Sequence, residues 1–384
     1  MPFTELQYQL DERAAQGLLR RRRELESPQG VRITVGGEPC LSFCSNDYLG
    51  LAHHPQVIAA MQAGANQYGV GSGASHLVSG HFNVHRQLEN ELADFVCKPA
   101  ALVFSTGYLA NLGAVQALVG RGDTVFADKL NHASLNDAML LSRAGIKRYR
   151  HNDVAHLQQL LEHTESGRKL IITDAVFSMD GDIAPLPELL ALCERYDAWL
   201  LVDDAHGFGV LGDEGRGSLA HFNLDSPRII YMATLGKAAG VSGAFVAAEQ
   251  VVIETLLNTA RSYIYTTASS PALATALLAS LELIRTEEWR RTKLNELIEQ
   301  LRNGLAGLPW KILDSGTSIQ PLLVGSNEAA LVLSEGLLTR GIWVPAIRPP
   351  TVPQGTARLR ISLSAAHDAR DVSQLIEVLR DLAR

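Results

Sequence analysis

The stretch ATLGKAAGVSG, residues 233–243, carries a single charge inside a long apolar run. From Ile229 to Ala248 every residue except Lys237 is uncharged, and most are small or aliphatic. An ammonium in that position either snorkels to water along its stem or is held in a pocket whose burial lowers its pKa and frees its lone pair for chemistry. The run before it, RIIYMAT (228–234), reads as one buried strand. Open α/β sheets bind ligands at the carboxyl ends of their strands, so a lysine just past such a run is a site candidate.

Outward from this run the same design repeats. ALVF (101–104), TVFAD (124–128), LIITDAV (170–176), WLLVDD (199–204) and GAFVAA (243–248) are short apolar runs. Helix-patterned segments such as Leu109–Val119, and another from Ser134, lie between them. Runs without alternation belong to strands covered on both faces, which predicts an α/β domain with a mainly parallel central sheet. Residues 285–306 read as one charged amphipathic helix. SIQPLLVG, GIWVPAI and ARLRISLS then read as strands of a smaller C-terminal α+β domain that ends in a helix. The first 25 residues read as helix, with Leu6, Leu10, Leu18, Leu19 and Leu25 set among charges, and residues 26–45 as turns and short strands. The expected division is therefore 1–45, 46–284 and 285–384.

The bulk properties narrow the function classes. The chain of 384 residues is 46% hydrophobic and 20% charged, as in a soluble globular protein. A net charge of −7 gives no general attraction to nucleic acid or to an anionic membrane. The Arg20–Arg23 run is read as a solvated helix face. Cys40, Cys44, Cys97 and Cys193 form no CxxC and read as reduced thiols of a cytoplasmic protein. The N-terminus has early acids and no apolar core, so it is no signal peptide. Gly236, Gly240, Gly243 and the lysine itself argue against a membrane span around residue 237.

The residues after each run carry the chemistry. Ser105-Thr106-Gly107-Tyr108 opens a helix with small residues, an arrangement that presents backbone N–H groups to a phosphate. His132 follows TVFAD, Ser178 follows LIITDAV, and Asp203 with His206 follows WLLV. A Walker A loop fails at both ends, because Tyr231 and Ala238 stand where glycine and Ser/Thr are needed. Gly69-Val70-Gly71-Ser72-Gly73-Ala74 follows a helical pattern and is no dinucleotide fingerprint. A metal at Asp203 and His206 lacks further ligands nearby, so no metal is expected. One cofactor uses the whole set. Pyridoxal 5′-phosphate needs an anion cradle, a carboxylate for its ring nitrogen, a lysine for its aldehyde and a ring-stacking partner.

SNDYLGL (45–51), GSGASHLVSG (71–80), NHASL (131–135), VFSMDGDIAPL (176–186), VDDAHGFGVLG (202–212) and TLGKAAGVSGAF (234–245) together resemble the α-oxoamine synthases. These are PLP-dependent transferases of aspartate aminotransferase-like fold (fold type I), and the resemblance covers essentially the whole chain. It implies that Lys237 bonds to the cofactor, Asp203 pairs with its ring nitrogen, His206 with its 3′-oxygen, and that His132 stacks on the ring. Gly107, Tyr108 and Thr234 would hold the phosphate, with Thr266 or Thr267 of a neighbouring subunit, and Ser178 would lie against the cofactor. This implies a homodimer with shared sites. Arg20, Arg348 and Thr351 would meet substrate, with Asn46 close by. His76 stands where many relatives have arginine and receives no role. The stretch IRPPTVPQGTARLRISLSAAH (347–367) is most similar to the branch that joins L-alanine to a pimeloyl thioester, of coenzyme A or acyl-carrier protein, for biotin synthesis. The alternative is a sibling branch such as 2-amino-3-ketobutyrate CoA ligase, which uses glycine and acetyl-CoA.

Overall fold

Apolar runs that need cover on both faces become neighbouring strands of one sheet. In the computed structural model, which describes residues 2–20, 22–165 and 167–384, two short strands come first: β1 (Arg32–Val35) and β2 (Glu38–Ser42). The central sheet then comprises β3 (Ala100–Phe104), β4 (Thr124–Asp128), β5 (Gly145–Tyr149), β6 (Lys169–Asp174), β7 (Ala198–Asp203), β8 (Ile229–Thr234) and β9 (Ala244–Ala248). Their order is β3-β9-β8-β7-β6-β4-β5, and β9 alone runs against its neighbours. Leu170, Ile171 and Ile172 of β6 and Leu200, Leu201 and Val202 of β7 are fully buried. Each such side chain contributes roughly 1.5–3 kcal/mol of transfer free energy. The helix Gly107–Leu118 covers one face through Ala110, Ala114, Val115 and Leu118.

The strand β5 escapes the sequence reading for a physical reason. Its residues GIKRY lie at the sheet's edge, mostly unburied, and Lys147 and Arg148 give it the charge that discourages edge pairing. The first helix is also shorter than expected: it spans Thr4–Ala15 and buries no residue. Gly17, at φ +66, ends it with Gly17 N–H bonding the Ala14 carbonyl and Leu18 N–H the Arg13 carbonyl. These two bonds form a Schellman stop that places Leu18, Leu19 and Leu25 outside the helix. Arg21 of the basic run lies outside the described residues. The expected single helix over 285–306 is instead the end of Pro271–Thr286 followed by Trp289–Gly304. Arg291 is buried at the break and donates to the Ile284 carbonyl at 2.6 Å, satisfying one of the carbonyls that a helix end leaves open.

The chain divides into two compact units. One, Leu49–Ser178 with Asp182–Arg291, holds the central sheet. The other joins Met1–Tyr48, Met179–Gly181 and Thr292–Arg384, so the terminal segments share a unit. It contains β10 (Lys311–Ile312), β11 (Ile319–Gly325), β12 (Ile342–Trp343), β13 (Ala346–Ile347) and β14 (Ala357–Ser362). The strands β10-β11-β14-β13 form an antiparallel sheet, and β12 adds in parallel to β2. The final helix, Ala369–Leu382, buries Val372, Leu375, Ile376 and Leu379 on one stripe. No described helix is long and apolar enough to cross a membrane.

One ion cluster ties loops at the carboxyl side of the central sheet. His151 bridges Asp128 at the end of β4 (3.0 Å) and Asp182 (2.8 Å). Burial alone would lower its pKa, but the hydrogen bonds to both carboxylates raise it to about 10. The stabilisation is therefore complete below the unfolded value near 6.5 and lost as pH rises through about 10. His151→Ala leaves two carboxylates facing each other, with Asp128 fully buried. The expected loss is about 3 kcal/mol at pH 7, read from urea unfolding, shrinking as pH rises further and gone above about pH 10. A loss that did not change with pH would rule out the charged bridge.

Candidate active site

The carboxyl ends of β3, β4, β6, β7 and β8 meet at one cavity of about 200 Å³. Gly107, Tyr108, His132, Ser134, Asp174, Asp203, Ala205, His206, Met232, Thr234 and Lys237 line it. A cavity of roughly 150 Å³ already accepts a benzene ring, so one substituted aromatic ring fits.

Local structure places each group. Asp203 and Asp174 are the last residues of β7 and β6, and Thr234 is the last of β8. Lys237 follows in the turn that leads to β9. Its Nζ lies 2.9 Å from His206 Nε2. It is half-buried, rather than desolvated as its apolar neighbours suggest, because the turn lifts it to the cavity rim. His132 caps the helix Ala133–Ser142, its N–H donating to Asp174 Oδ2 at 2.7 Å. Its Nδ1 lies 2.8 Å from Ser134 Oγ. Burial pushes the His132 pKa down, and Lys237 acts in the same direction, so its ring is neutral at pH 7.

Asp203 is 3% exposed. Its Oδ1 accepts the Ala205 N–H at 3.0 Å, and its Oδ2 accepts Asn111 Nδ2 at 2.7 Å. Asn111 Nδ2 also donates to Ser134 Oγ at 2.9 Å, so one amide positions both the carboxylate and the group holding His132. Burial first, and then the Asp203 charge, push Asp174 well above the usual carboxylate range.

The end of the cavity at the helix Gly107–Leu118 is built from backbone. Thr106 Oγ1 caps the helix by accepting the Leu109 N–H, which leaves the first N–H groups, at Gly107 and Tyr108, directed outward. A Cβ at Gly107 would fall 2.5 Å from Thr234 Cγ2, so glycine is what lets this backbone sit against β8. The Tyr108 hydroxyl bonds Asp137. With an anion cradle, a carboxylate, a ring-facing imidazole and a lysine, this donor set fits pyridoxal 5′-phosphate.

Three expectations for this unit need comment. Ser178 is half-buried just beyond β6 and does not line the cavity. Thr266 and Thr267 do not line the cavity of their own chain either, and Tyr265 beside them is 72% exposed. Asn111, Ser134 and Asp174 belong to the site but were not singled out. Asn111 is the one polar residue at a fully buried position in GYLANLGAVQAL. Asp174 ends an apolar run just as Asp203 does.

The other expected residues lie in the terminal unit. Arg20 Nη2 donates to Thr351 Oγ1 at 3.3 Å, and Arg348 Nη1 donates to the Gly17 carbonyl. Arg20, Arg348 and Thr351 line a cavity of about 400 Å³. Asn46 Oδ1 accepts from Arg360 Nη1 and from the Tyr48 hydroxyl, each at 3.1 Å. Arg360, 5% exposed, was hidden in the sequence as one of two arginines in the strand-like run ARLRISLS.

Residues 38–379 match the family model of aminotransferase class I and II. The chain is 64% identical over 375 residues to 8-amino-7-oxononanoate synthase of Nitrosospira multiformis, covering 98% of this chain and 95% of that one. The solved 8-amino-7-oxononanoate synthase of Francisella tularensis is 32% identical, with a TM-score of 0.78 over 89% of this chain and 97% of that one. A serine palmitoyltransferase solved with PLP is 30% identical, with a TM-score of 0.93 over 99% of this chain and 96% of the other. On these matches, the fold and the strand-end site, the chain belongs to the class I and II aminotransferase family, within its 8-amino-7-oxononanoate synthase branch.

Proposed function

We propose that the protein joins the α-carbon of L-alanine to the acyl carbon of a pimeloyl thioester, using pyridoxal 5′-phosphate, in biotin synthesis. The products are 8-amino-7-oxononanoate, carbon dioxide and the free thiol of coenzyme A or of acyl-carrier protein. The observation that carries this reading is the convergence of Lys237, His206, Asp203 and His132 on one cavity at the strand ends. The cofactor supplies a conjugated ring that accommodates the electron pair left when a bond to the amino acid's α-carbon breaks.

The residues divide the remaining tasks. Lys237 Nζ holds the cofactor before the amino acid enters, then takes the proton from the alanine α-carbon. His206, 2.9 Å away, orients that amine and would face the cofactor's ring oxygen. Asp203, locked by Asn111 and Ala205, keeps a proton on the ring nitrogen. His132 covers the ring, and the Gly107 and Tyr108 N–H groups with Thr234 hold the phosphate. Arg20, Arg348 and Thr351 meet the acyl substrate, whose far carboxylate matches guanidinium donors, and Asn46 acts nearby.

We assign Thr266 and Thr267 to the phosphate of a second copy, in a homodimer with shared sites. Their absence from their own chain's cavity supports this. Sedimentation should give a species of twice the 41.6 kDa chain mass, and a monomer active at assay concentration would refute sharing. Four free thiols suit a cytoplasmic location.

A substrate panel tests the reaction. Alanine, glycine or serine is paired with pimeloyl, acetyl, succinyl or palmitoyl thioester. Turnover should be highest for alanine with pimeloyl thioester, and none with that pair would sink the proposal. Glycine with acetyl-CoA as the best pair would point to the sibling ligase. At the phosphate end, Gly107→Ala forces the Thr234 methyl aside and should weaken cofactor binding about tenfold, roughly 1.4 kcal/mol. Titration of cofactor into the stripped protein measures this, and unchanged affinity would mean that the cradle lies elsewhere.

A further inference from the structure

A histidine cluster lies outside the cofactor cavity. His76 belongs to a tight helical turn, His76–Gly80, in the glycine-rich segment; His81 follows it, and His85 sits on the helix Asn83–Phe95. One ring nitrogen from each lies within 4.8 Å of the others. His76 Nδ1 and His81 Nδ1 are 3.0 Å apart. Two nitrogens bound to one tetrahedral zinc at 2.0–2.1 Å would be about 3.3 Å apart. Only a small outward movement of this pair separates the two geometries.

The surroundings are those of a ligating set. His81 Nε2 lies 3.9 Å from Glu89 Oε2, so a cation on Nδ1 leaves the other ring nitrogen facing a carboxylate, the usual outer-shell partner of a metal-bound histidine. Glu89 is itself held by the Val103 N–H at 3.1 Å. His85 is oriented from both sides, by the Phe82 N–H on Nδ1 (3.1 Å) and the Ser269 carbonyl at Nε2 (3.0 Å). It gives up one of these bonds to join a cation. The Tyr263 ring stacks on His76 at 4.9 Å and fixes its plane. A cavity of about 600 Å³ reaches His76, His81 and Glu89, and its wall also carries Asp94 and Glu254 against Arg86.

We propose that His76, His81 and His85 bind a divalent transition cation that prefers imidazole, such as Zn²⁺, with Glu89 as the carboxylate behind His81. Such a cation ties the glycine-rich segment to the helix Asn83–Phe95. The proton now shared between the two Nδ1 atoms moves to an Nε2, which on His81 faces Glu89. The H-x4-H-x3-H spacing over 76–85 was the available signal.

Equilibrium dialysis of the cofactor-loaded, EDTA-stripped protein against Zn²⁺ alone at pH 8 tests the site. One Zn²⁺ per chain is expected, with affinity reduced at least tenfold in His81→Asn and in His76→Gln. Glu89→Gln should weaken it about 10–100-fold, whereas His163→Ala, at an exposed position, should leave it unchanged. Each variant is scored only with wild-type circular dichroism and visible cofactor absorbance, and the two histidine variants are independent should one fail to fold. No saturable Zn²⁺ binding, or equal binding by wild type and the folded histidine variants, overturns the proposal.

Discussion

Lys237→Ala is expected to reduce turnover by at least about 10³-fold, because on the proposed mechanism it removes the cofactor's covalent holder and the proton-transferring amine together. General base catalysis alone is worth about 10²–10⁴-fold. The Lys237 amine is the one lysine nitrogen lining the cavity, and its partner His206 cannot replace it as an amine. Steady-state assays with alanine and pimeloyl thioester measure the loss. Borohydride treatment of the wild-type protein should fix the cofactor's mass to the peptide containing Lys237, and the variant should remain unlabelled. Turnover within tenfold of wild type, or label on another lysine, would remove Lys237 from the centre of the mechanism.

Asp203→Asn has the second largest expected effect, a fall in kcat of about 10²–10³-fold, the usual cost of removing one preorganised electrostatic partner. Both Asp203 oxygens accept hydrogen bonds, from Ala205 N–H and from Asn111 Nδ2. An amide in that place turns an NH₂ group toward one of these donors and removes the carboxylate that we assign to the ring nitrogen. The substitution is nearly isosteric, so the fold should persist and the thioester KM should change little. A kcat within tenfold of wild type would assign the ring-nitrogen role elsewhere. Asn111→Ala is a milder version of the same perturbation, since it leaves the charge and removes the group that aims it.

Much of this was legible in the sequence because burial on both faces leaves a simple trace. β3, β4 and β6 to β9 are continuous apolar runs, and residues at or just past the ends of β3, β4, β6, β7 and β8 line the cavity. β5 left no such trace, since an edge strand has no second neighbour and tolerates Lys147 and Arg148. The helix limits at Ala15 and Thr286 were misjudged where a backbone stop competes with a favourable pattern. Gly17 adopts a left-handed conformation at the first, and Arg291 takes the Ile284 carbonyl at the second.

By itself, the sequence determined the α/β class and placed Lys237, Asp203, His206 and His132 at or just past strand ends, where we propose they carry the chemistry. These follow from local composition, since a charged or polar residue ending an apolar run is placed by its own strand. Tertiary structure decided the relations between strands: the reversed β9, the Asn111 link from Asp203 to Ser134, the pairing of Asp174 beside Asp203, and the meeting of His76, His81 and His85. Such features depend on distances across the sheet or between a turn and a helix, where a shift of one residue in register or one turn of helix separates contact from none. Local periodicity carries no record of that alignment, which is set by the packing of the whole unit.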